Sequence, residues 1–385
     1  MVAQVMLRGV CEGVRMSGGP LTDVKIVEFA GVGPSPFGAM LLADLGATVL
    51  RIERTSPDNL GVKRPRKYNY NLRSRSIVNL DLKSAEDCEI ARSLVKDGDV
   101  LIEGYRPGVM ERLSLGPDVC LADNPKLIYA RMTGWGQTGP NAGLAGHDLN
   151  YIAVSGALSL IGRKGDLPAP PLNILGDFAG GGMTLVIGIL SALHEMRKSG
   201  HGQVVDASVV DGTLALTAQF FGMYDAGIWG LERGTNFLDS GAPYYDTYQC
   251  KDQKIIALAA IEDKFFAQFI DRAGLPEVLL EWKSDRETWP RLRDSIKARF
   301  AEKARDEWVE IFAGMDVCVS PVLDLDEARA DCHLVERNAF VEVGGQWQPA
   351  PTPRFSRSAT SMPKAPSSSR VFNKQDVTKW WHELS

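Results

Sequence analysis

The stretch that decides the fold is KIVEFAGVGPSPFGAMLLADLGATVLRIE, which covers residues 25–53. Its apolar, β-branched run at 25–30 predicts a buried strand, and the similar run at 48–52 predicts a second one. Between them, the turn GVGPSP at 31–36 leads into a small-residue, apolar segment at 37–45 that predicts a helix. A strand, a helix and a strand in this order predict a βαβ unit, and therefore a parallel sheet of Rossmann type.

The same stretch imitates a dinucleotide-binding fingerprint. Gly31 and Gly33 are followed about twenty residues later by the acid Glu53, as in nicotinamide-binding proteins. However, Pro34 and Pro36 occupy the turn, and proline lacks the backbone N–H that a pyrophosphate would need. The sequence therefore does not favour a nicotinamide-dependent dehydrogenase.

Beyond this unit, predicted strands alternate with predicted helices, which extends the mostly parallel sheet. The predicted strands lie at 77–82, 99–103, 127–132 and 203–207, and the predicted helices at 85–96, 183–196 and 209–223. Between the second and third strands of the chain, the basic segment 55–76 predicts a solvated loop.

The pattern changes after about residue 240, where a β-pair at 244–250 and 254–260 precedes helices at 263–273, 287–303 and 308–315. Residues 349–370, rich in proline and serine, predict an extended surface strap. We therefore predict four regions: an N-terminal extension at 1–20, a large Rossmann-like domain at 21–225, a small α+β domain at 240–330, and a C-terminal segment at 335–385 that returns to the large domain.

Composition narrows the function classes. The 385-residue chain has a formal net charge of −5, which gives little support to nucleic-acid binding. Its six cysteines are scattered without a CxxC pair, which favours a reducing compartment and no structural metal. No apolar run is expected to span a membrane. Residues 1–20 are expected to form either a disordered extension or a weak organelle presequence. We expect a cytoplasmic location, with a mitochondrial or peroxisomal one as the alternative.

One histidine and one aspartate, each set among glycines, are the candidate working groups. His147 lies in Gly-His-Asp at 146–148, and Asp177 opens the glycine-rich run GDFAGGG at 176–182. Reference pKa values of about 6.5 and about 3.9 allow one group to be protonated while the other is not, so the pair can move protons in either direction. The structural alternative for Asp177 is a helix N-cap, because an apolar helix is predicted to follow.

Six motifs, taken in order, resemble the racemase branch of the family III CoA-transferase superfamily. They are EGYRPG at 103–108, RMTGWGQ at 131–137, GHDLNY at 146–151, GDF at 176–178, GAPYYD at 241–246 and AIE at 260–262. The resemblance runs from about residue 21 to about residue 357 and leaves 1–20 and 365–385 outside it. It implies a Rossmann-like domain with a smaller α+β domain, an interlocked homodimer, and racemisation at the α-carbon of 2-methylacyl-CoA thioesters.

The resemblance also implies roles for individual residues. The catalytic positions fall on His147, Asp177 and Glu262, with Glu262 expected to hydrogen-bond the histidine and raise its basicity. Asp148 and Tyr151 are expected to line the pocket. Candidates for binding the CoA phosphates and neighbouring groups are Arg54, Lys83, Tyr105, Arg106 and Arg112. No cofactor and no metal are expected, because CoA is part of the substrate.

Two other functions stay open from the residues. In a true CoA-transferase of the same superfamily, Asp177 would attack the thioester and form covalent intermediates. His147 and the segment 259–262, which replaces a glycine-rich loop of the transferases, favour the racemase. A non-catalytic acyl-CoA-binding protein is the third possibility. The acyl group itself is left undetermined, because apolar pockets discriminate weakly among similar shapes.

Overall fold

The computed structural model describes residues 18–56 and 61–384, so most of the predicted N-terminal extension lies outside the described residues. The strands are β1 (Lys25–Phe29), β2 (Thr48–Glu53), β3 (Arg75–Asn79), β4 (Val100–Glu103), β5 (Ile128–Thr133), β6 (Gln203–Ser208), β7 (Tyr245–Gln249), β8 (Ile255–Ala259), β9 (Val319–Pro321), β10 (Phe340–Val343), β11 (Gln346–Pro349) and β12 (Arg370–Phe372). The helices are α1 (Pro34–Asp44), α2 (Ala85–Lys96), α3 (Val109–Arg112), α4 (Pro117–Asp123), α5 (Asp148–Val154), α6 (Thr184–Ser199), α7 (Val209–Asp225), α8 (Asp263–Ala273), α9 (Leu279–Trp282), α10 (Trp289–Phe300), α11 (Arg305–Phe312), α12 (Leu325–Ala330), α13 (Cys332–Glu336) and α14 (Lys374–Glu383). A π-helical segment, Ile174–Met183, runs directly into α6.

The opening βαβ unit is confirmed, with one change at the helix start. β1 and β2 are parallel and in register from Lys25 opposite Thr48 to Phe29 opposite Ile52. The helix α1 begins at Pro34, three residues before the predicted start, with proline in its first turn. A first-turn proline costs little because the N–H it lacks has no partner within the helix. The predicted turn is therefore shorter than expected.

The strands of this unit belong to a seven-stranded sheet in the order β12-β3-β2-β1-β4-β5-β6. Every neighbouring pair is parallel, so all seven strands end at the same edge, here called the carboxyl edge. The chain leaves β1 towards β2 on one side and returns to β4 on the other, which makes β1 and β4 the switch point of the topology. The predicted α/β class with a mostly parallel sheet is confirmed.

The chain divides into two compact units. The first unit contains the described residues of Met1–Ala145, Asp177–Gly212 and Phe340–Ser385, and the second contains Gly146–Gly176 and Thr213–Ala339. Residues 146–176, which the prediction assigns to the large domain, thus group with 213–339. The predicted boundary rested on secondary-structure pattern alone, and pattern does not show which unit a connecting segment packs against.

The C-terminal residues complete the sheet and core of the first unit. β12, at the end of the predicted surface strap, pairs with β3 in parallel. In α14, the side chain of Trp381 is fully buried and its Nε1 donates to the carbonyl oxygen of Leu94 at 2.8 Å. The buried cluster around it includes Val27, Leu50 and Leu101 of the central strands. Segment 365–385, which matched no motif, is therefore integral to this core.

The second unit has a three-stranded antiparallel sheet, β7-β8-β9, flanked by helices. The predicted β-pair is confirmed, with Tyr245 opposite Ala259 and Gln249 opposite Ile255. α8 covers the predicted range 263–273, and its Phe266, Phe269 and Ile270 are buried in an aromatic core with Trp308. The chain passes from the end of β8 at Ala259 to Glu262, which directly precedes α8.

One helical run among the described residues, Ile174–Ser199, is long and apolar enough to cross a membrane by length and composition. Core helices of soluble proteins commonly pass the same test. Here Leu185, Ile189 and Leu193 are buried, and Val205 of β6 lies 2.7 Å from where a Cβ on Gly188 would stand. The α6 part of the run therefore packs against the sheet of the first unit as a core helix does.

The basic segment after β2 is only partly a solvated loop. Residues 57–60 lie outside the described part of the chain, and Arg66 and Tyr68 belong to a short 3₁₀ turn. At its end, however, Arg73 and Arg75 are both 3% exposed and paired with carboxylates. The prediction of a solvated run was wrong for these two arginines, because their acidic partners are distant in sequence.

Candidate active site

Three connections meet at the carboxyl edge around the switch point. Residues 31–33 lead from β1 into α1, Arg54 follows β2, and residues 104–108 follow β4. The sheet order places β1 between β2 and β4, so these three connections are neighbours. Parallel α/β sheets bind ligands at this position. The first unit therefore offers a binding edge where several predicted residues fall.

The Asp177 carboxylate lies at this edge, against the turn that follows β1. A Cβ built on Gly33 would stand 2.9 Å from Asp177 Oδ2 and 3.2 Å from its Cγ. Gly33 has φ 66° and ψ −120°, a combination that side chains disfavour. Glycine is needed here for the backbone conformation and for the space that the carboxylate occupies.

The glycines after Asp177 bring its helix close to α1. A Cβ on Gly182 would stand 2.5 Å from Phe37 Cδ1, and one on Gly181 would stand 2.8 Å from Pro34 Cβ. Beside them, the ring of Phe178 stacks on Phe37 at 4.6 Å between centroids. These contacts fix the segment that carries Asp177. The glycine run thus serves close packing within the protein, a role that the sequence pattern does not reveal.

The predicted N-cap role of Asp177 is wrong. The π-helical segment begins at Ile174, so Asp177 lies within its first turn and not before it. π-helical segments are rare and are frequently found at functional sites. A carboxylate in the first turn still lies near backbone N–H groups without helical partners.

His147 directly precedes α5, in the second unit. Its backbone N–H donates to Asn150 Oδ1 at 3.0 Å, which fixes the start of the helix, and its side chain is exposed. The next residue, Asp148, is buried, with Oδ1 2.4 Å from where a Cβ on Gly176 would stand. The loop that carries His147 is thereby held against the residue that precedes Asp177 in the chain.

Tyr151 supports the same loop, since its hydroxyl donates to the carbonyl oxygen of Gly146. Both Asp148 and Tyr151 are buried, at 7% and 9% exposure. Their contacts with Gly176 and Gly146 are those of residues that hold the loop in place. The predicted pocket-lining role of the two side chains stays a prediction.

Glu262 stands at the N-cap position of α8, and its side chain is exposed. The loop around it is anchored by Lys283, whose Nζ contacts Asp263 Oδ1 at 2.6 Å and also donates to the carbonyl oxygen of Ile261. Burial, reinforced by the charge of Glu262, raises the pKa of the nearby Cys318 thiol. The predicted hydrogen bond between Glu262 and His147, which belong to the same unit, stays a prediction.

The predicted CoA-binding cations are exposed around the carboxyl edge. Arg54 hydrogen-bonds the phenol of Tyr105, whose pKa is raised by burial against the opposing effect of the Arg54 charge. Arg106 is exposed in the turn after β4, and Arg112 ends α3 with Nη1 3.4 Å from where a Cβ on Gly108 would stand. Lys83 is exposed four residues after the end of β3. Arg54, Tyr105 and Arg106 thus flank β1, with Lys83 further along the sheet.

A buried ion pair that the sequence pattern does not reveal supports the turn of Tyr105 and Arg106. Glu103 is fully buried and accepts from the backbone N–H of Tyr105 at 2.7 Å and from Arg131 Nε at 3.0 Å. Arg131 also contacts Glu111 at 2.9 Å. Burial raises the pKa of Glu103 to about 7, against the opposing effects of its hydrogen bond and of Arg131. The two residues open the motifs EGYRPG and RMTGWGQ, yet only the fold shows that they pair.

The second unit contains a largely apolar cavity of about 460 Å³. Its volume falls in the range of about 300–1,000 Å³ that is typical of small-molecule sites. Leu175, two residues before Asp177 in the chain, is part of its wall. The other lining residues include Ala157, Leu160, Ile161, Arg163, Leu216, Phe220, Trp229 and Leu238. Among the described residues, no group of three or more His, Cys, Asp or Glu side chains is arranged to hold a metal ion.

The fold and the site together define an α/β protein with a parallel sheet that presents a fixed carboxylate and several cations at its carboxyl edge. The chain belongs to CoA-transferase family III, whose sequence model matches residues 21–369.

Several relatives agree with this membership, and a solved structure shares the fold. The chain is 43% identical over 351 residues to α-methylacyl-CoA racemase of Mus musculus, covering 91% of this chain and 89% of the relative. It is 42% identical over 334 residues to α-methylacyl-CoA racemase of Homo sapiens, covering 86% of each. An acetyl-CoA:oxalate CoA-transferase of Acetobacter aceti is 31% identical over 350 residues, covering 86% of this chain and 88% of the relative. The crystal structure of a CAIB/BAIF family protein from Brucella suis shares the fold, with a TM-score of 0.80, 24% identity, and coverage of 96% of this chain and 100% of that one.

Proposed function

We propose that this chain is an isomerase that interconverts the (2R) and (2S) forms of 2-methylacyl-CoA thioesters. The observation that carries the proposal is the pattern of identity, since the two racemases are distinctly more similar to the chain than the transferase is. The geometry supports it, because the Asp177 carboxylate is fixed against Gly33 at the carboxyl edge. The exposed Arg54 and Arg106 at the same edge suit the phosphates of CoA.

The proposed reaction is a proton transfer with inversion. One base removes the α-proton, and the electrons of the broken C–H bond form the C=C bond of an enolate whose charge rests on the thioester oxygen. The conjugate acid of a second group then returns a proton to the opposite face. His147 and Asp177 are assigned these two roles, which they exchange according to the handedness of the substrate. Such a step involves no redox change and requires no cofactor.

The remaining predicted residues support this step. Glu262 is proposed to orient the imidazole of His147 and to favour its protonated form. Backbone N–H groups of the first turn that contains Asp177 are proposed to hold the enolate oxygen. Oxyanion stabilisation of this kind is worth about 3–4 kcal/mol per donor.

We assign the acyl chain to the apolar cavity of the second unit. Its wall is built mainly from side chains such as Leu160, Phe220 and Trp229, which suit an aliphatic or aromatic chain. Leu175 connects this wall in sequence to Asp177. The assignment leaves branched fatty acids, sterol side-chain acids and aryl-propionates as candidate acyl groups.

A CoA-transferase reaction is the second candidate, and the family membership favours it enough to require a test. There Asp177 would attack the thioester carbonyl and form an acyl anhydride with release of the CoA thiolate. The thiolate would then attack the aspartyl carbonyl of the anhydride, which breaks the anhydride C–O bond, releases the donor carboxylate and leaves an enzyme thioester. Both chemistries use the same carboxylate. Only the racemase needs a second proton-transfer group, which is the role proposed for His147.

Incubation of single epimers in D₂O separates these functions. Each epimer of a 2-methylacyl-CoA is incubated without any acceptor acid, and deuterium incorporation and chirality are followed together. Exchange with inversion is the result expected of a racemase. CoA transfer that begins only when a free carboxylate is added would overturn the proposal in favour of the transferase. The absence of both activities would leave only acyl-CoA binding as the function. In the racemase, Asp177→Asn is expected to abolish inversion in a folded protein.

We also propose that the chain forms a homodimer, with interlocked chains as the family resemblance implies. The supporting observation is a run of large exposed apolar side chains in and after α7, including Phe221 at 51%, Ile228 at 53% and Leu231 at 74%. Patches of this kind are uncommon on monomers. Sedimentation equilibrium should give twice the mass of one chain, and Phe221→Asp should weaken the association. A monomeric wild-type protein would contradict the proposal.

A further inference from the structure

Three buried charged side chains lie beneath the turn that contacts Asp177. Glu28 of β1 is fully buried, and Arg51 of β2 and Arg75 of β3 are 6% and 3% exposed. Both arginines contact the one carboxylate. Arg75 Nε donates to Glu28 Oε2 at 2.9 Å, and Arg51 Nη1 donates to Glu28 Oε1. We call these three residues the sheet cluster.

One further donor of each arginine binds the turn or its helix entry, while Arg51 Nε donates to Glu53 and Arg75 Nη1 to the carbonyl oxygen of Arg73. Arg51 Nη2 donates to the carbonyl oxygen of Gly31 at 3.3 Å. Arg75 Nη2 donates to the carbonyl oxygen of Pro36 at 2.9 Å. The two arginines therefore hold residues 31–36 from both ends. Gly33, against which the Asp177 carboxylate lies, is between these two points.

Stability alone is a weak reason for such a cluster. Removing charges from water costs several kcal/mol per ion, and well-packed apolar residues in the same place are often as stable or more so. What apolar residues do not provide is a donor for the Gly31 and Pro36 carbonyl oxygens. The cluster is thus better explained by the backbone that it holds than by its contribution to folding.

We propose that Glu28, Arg51 and Arg75 are positioning residues that fix the turn at 31–36 and, through Gly33, the place of the Asp177 carboxylate. The inference rests on the proposed two-base reaction. Because the sheet cluster lies in the first unit and His147 belongs to the second, it acts on one of the two proton-transfer groups. Loss of the sheet cluster should therefore impair proton transfer at one face of the substrate more than at the other.

The test compares two arginine-to-lysine substitutions of equal burial. Arg75→Lys keeps a positive charge for Glu28 but lacks the guanidinium fork that also reaches Pro36. The matched control is Arg73→Lys. Arg73 is also 3% exposed and paired with a buried carboxylate, that of Asp44, but its other side-chain donor at 2.8 Å goes to the carbonyl oxygen of Pro349.

Each variant is incubated in D₂O with each single epimer of a 2-methylacyl-CoA. In Arg75→Lys, inversion should fall roughly 10- to 100-fold, since misplacement by about 1 Å costs about that much. The epimer whose proton faces His147 should still exchange deuterium, now with retention, because His147 can return a deuteron to the face it deprotonated. The other epimer should lose exchange together with inversion. Arg73→Lys should keep inversion and exchange in the wild-type ratio for both epimers.

Three results would overturn the inference. One is an Arg75→Lys protein whose exchange and inversion fall in proportion for both epimers, as expected from a general loss of structure. Another is an Arg75→Lys protein whose exchange and inversion match those of the wild type for both epimers. If Arg75→Lys does not fold, Arg51→Lys, which loses the Gly31 contact, is measured in its place, and the same two results would count against the inference. The third is a wild-type protein that does not racemise, which refutes the proposed function itself and is recognised before any variant is made.

Discussion

Replacing Gly33 by alanine should disable Asp177 while leaving the fold intact. Gly33 has φ 66° and ψ −120°, so alanine adds backbone strain of about 1–3 kcal/mol. The new Cβ would stand 2.9 Å from Asp177 Oδ2 and 3.2 Å from its Cγ. Ordinary contacts between such atoms begin at about 3.5 Å, so the carboxylate must move by roughly 0.5–1 Å.

That displacement determines the expected rate. A shift of about 1 Å in a reacting group costs about 100-fold, or about 2.7 kcal/mol in the barrier. We therefore expect kcat for racemisation to fall by about two orders of magnitude in Gly33→Ala. KM should change little, because the cations proposed to bind CoA are untouched. Chiral separation of the two epimers with time gives both constants.

The control is Gly200→Ala, which changes another glycine of positive φ. Gly200 has φ 79° at the C-terminus of α6, where an added Cβ would meet nothing within 4 Å. It should lose stability, by about 1–2 kcal/mol, without losing turnover. A folded Gly33→Ala protein with kcat within about threefold of the wild type would refute the positional argument for Asp177.

Three further predictions concern other parts of the chain. Arg106→Ala should raise KM roughly tenfold with little change in kcat, whereas Lys198→Ala on the exposed end of α6 should change neither constant. A loss confined to kcat in Arg106→Ala would contradict phosphate binding by this residue. Because burial raises the pKa of Glu103 from 4.5 to about 7, the folded state binds the proton more tightly and stability falls as pH rises through this interval. From about pH 5 to pH 7.5 the free energy of unfolding of the wild type, measured in urea, should fall by about 2 kcal/mol relative to that of Glu103→Gln. Parallel pH profiles for the two proteins would refute this. Ala157→Phe should lower kcat/KM for long acyl chains and spare short ones, whereas Ala153→Phe on the exposed face of α5 should show no such dependence on chain length.

The sequence predicted well those features that depend on neighbouring residues. The βαβ opening, the β7–β8 pair and the range of α8 follow from local periodicity and turn residues, and all are confirmed. Sheet order and the pairing of β12 with β3 depend on contacts across most of the chain. A proline- and serine-rich segment gives no local sign that it ends in a strand of the main sheet.

The same distinction applies to the candidate site. The motifs point to Asp177, whereas Gly33, which the fold places beside it, stands in the sequence only within an imperfect dinucleotide fingerprint. That Gly33 makes room for the Asp177 carboxylate requires two segments more than 140 positions apart to meet. Arg73 and Arg75 were predicted to be solvated because a basic run is normally exposed. Their burial depends on Asp44 and Glu28, which precede them by 29 and 47 positions.

These long-range contacts explain why a motif can identify the carboxylate that we propose to react but cannot show how accurately it is placed. The chemistry of a carboxylate at the Asp177 position suits both proton abstraction and nucleophilic attack, so the residue type alone does not decide between them. Its position is set by the Gly33 turn, and that turn is held by Arg51 and Arg75 on two other strands. Substitutions in these buried strands should therefore alter the balance between exchange and inversion before they abolish activity. A survey of variants that scored only total turnover would read the same substitutions as damage to the fold.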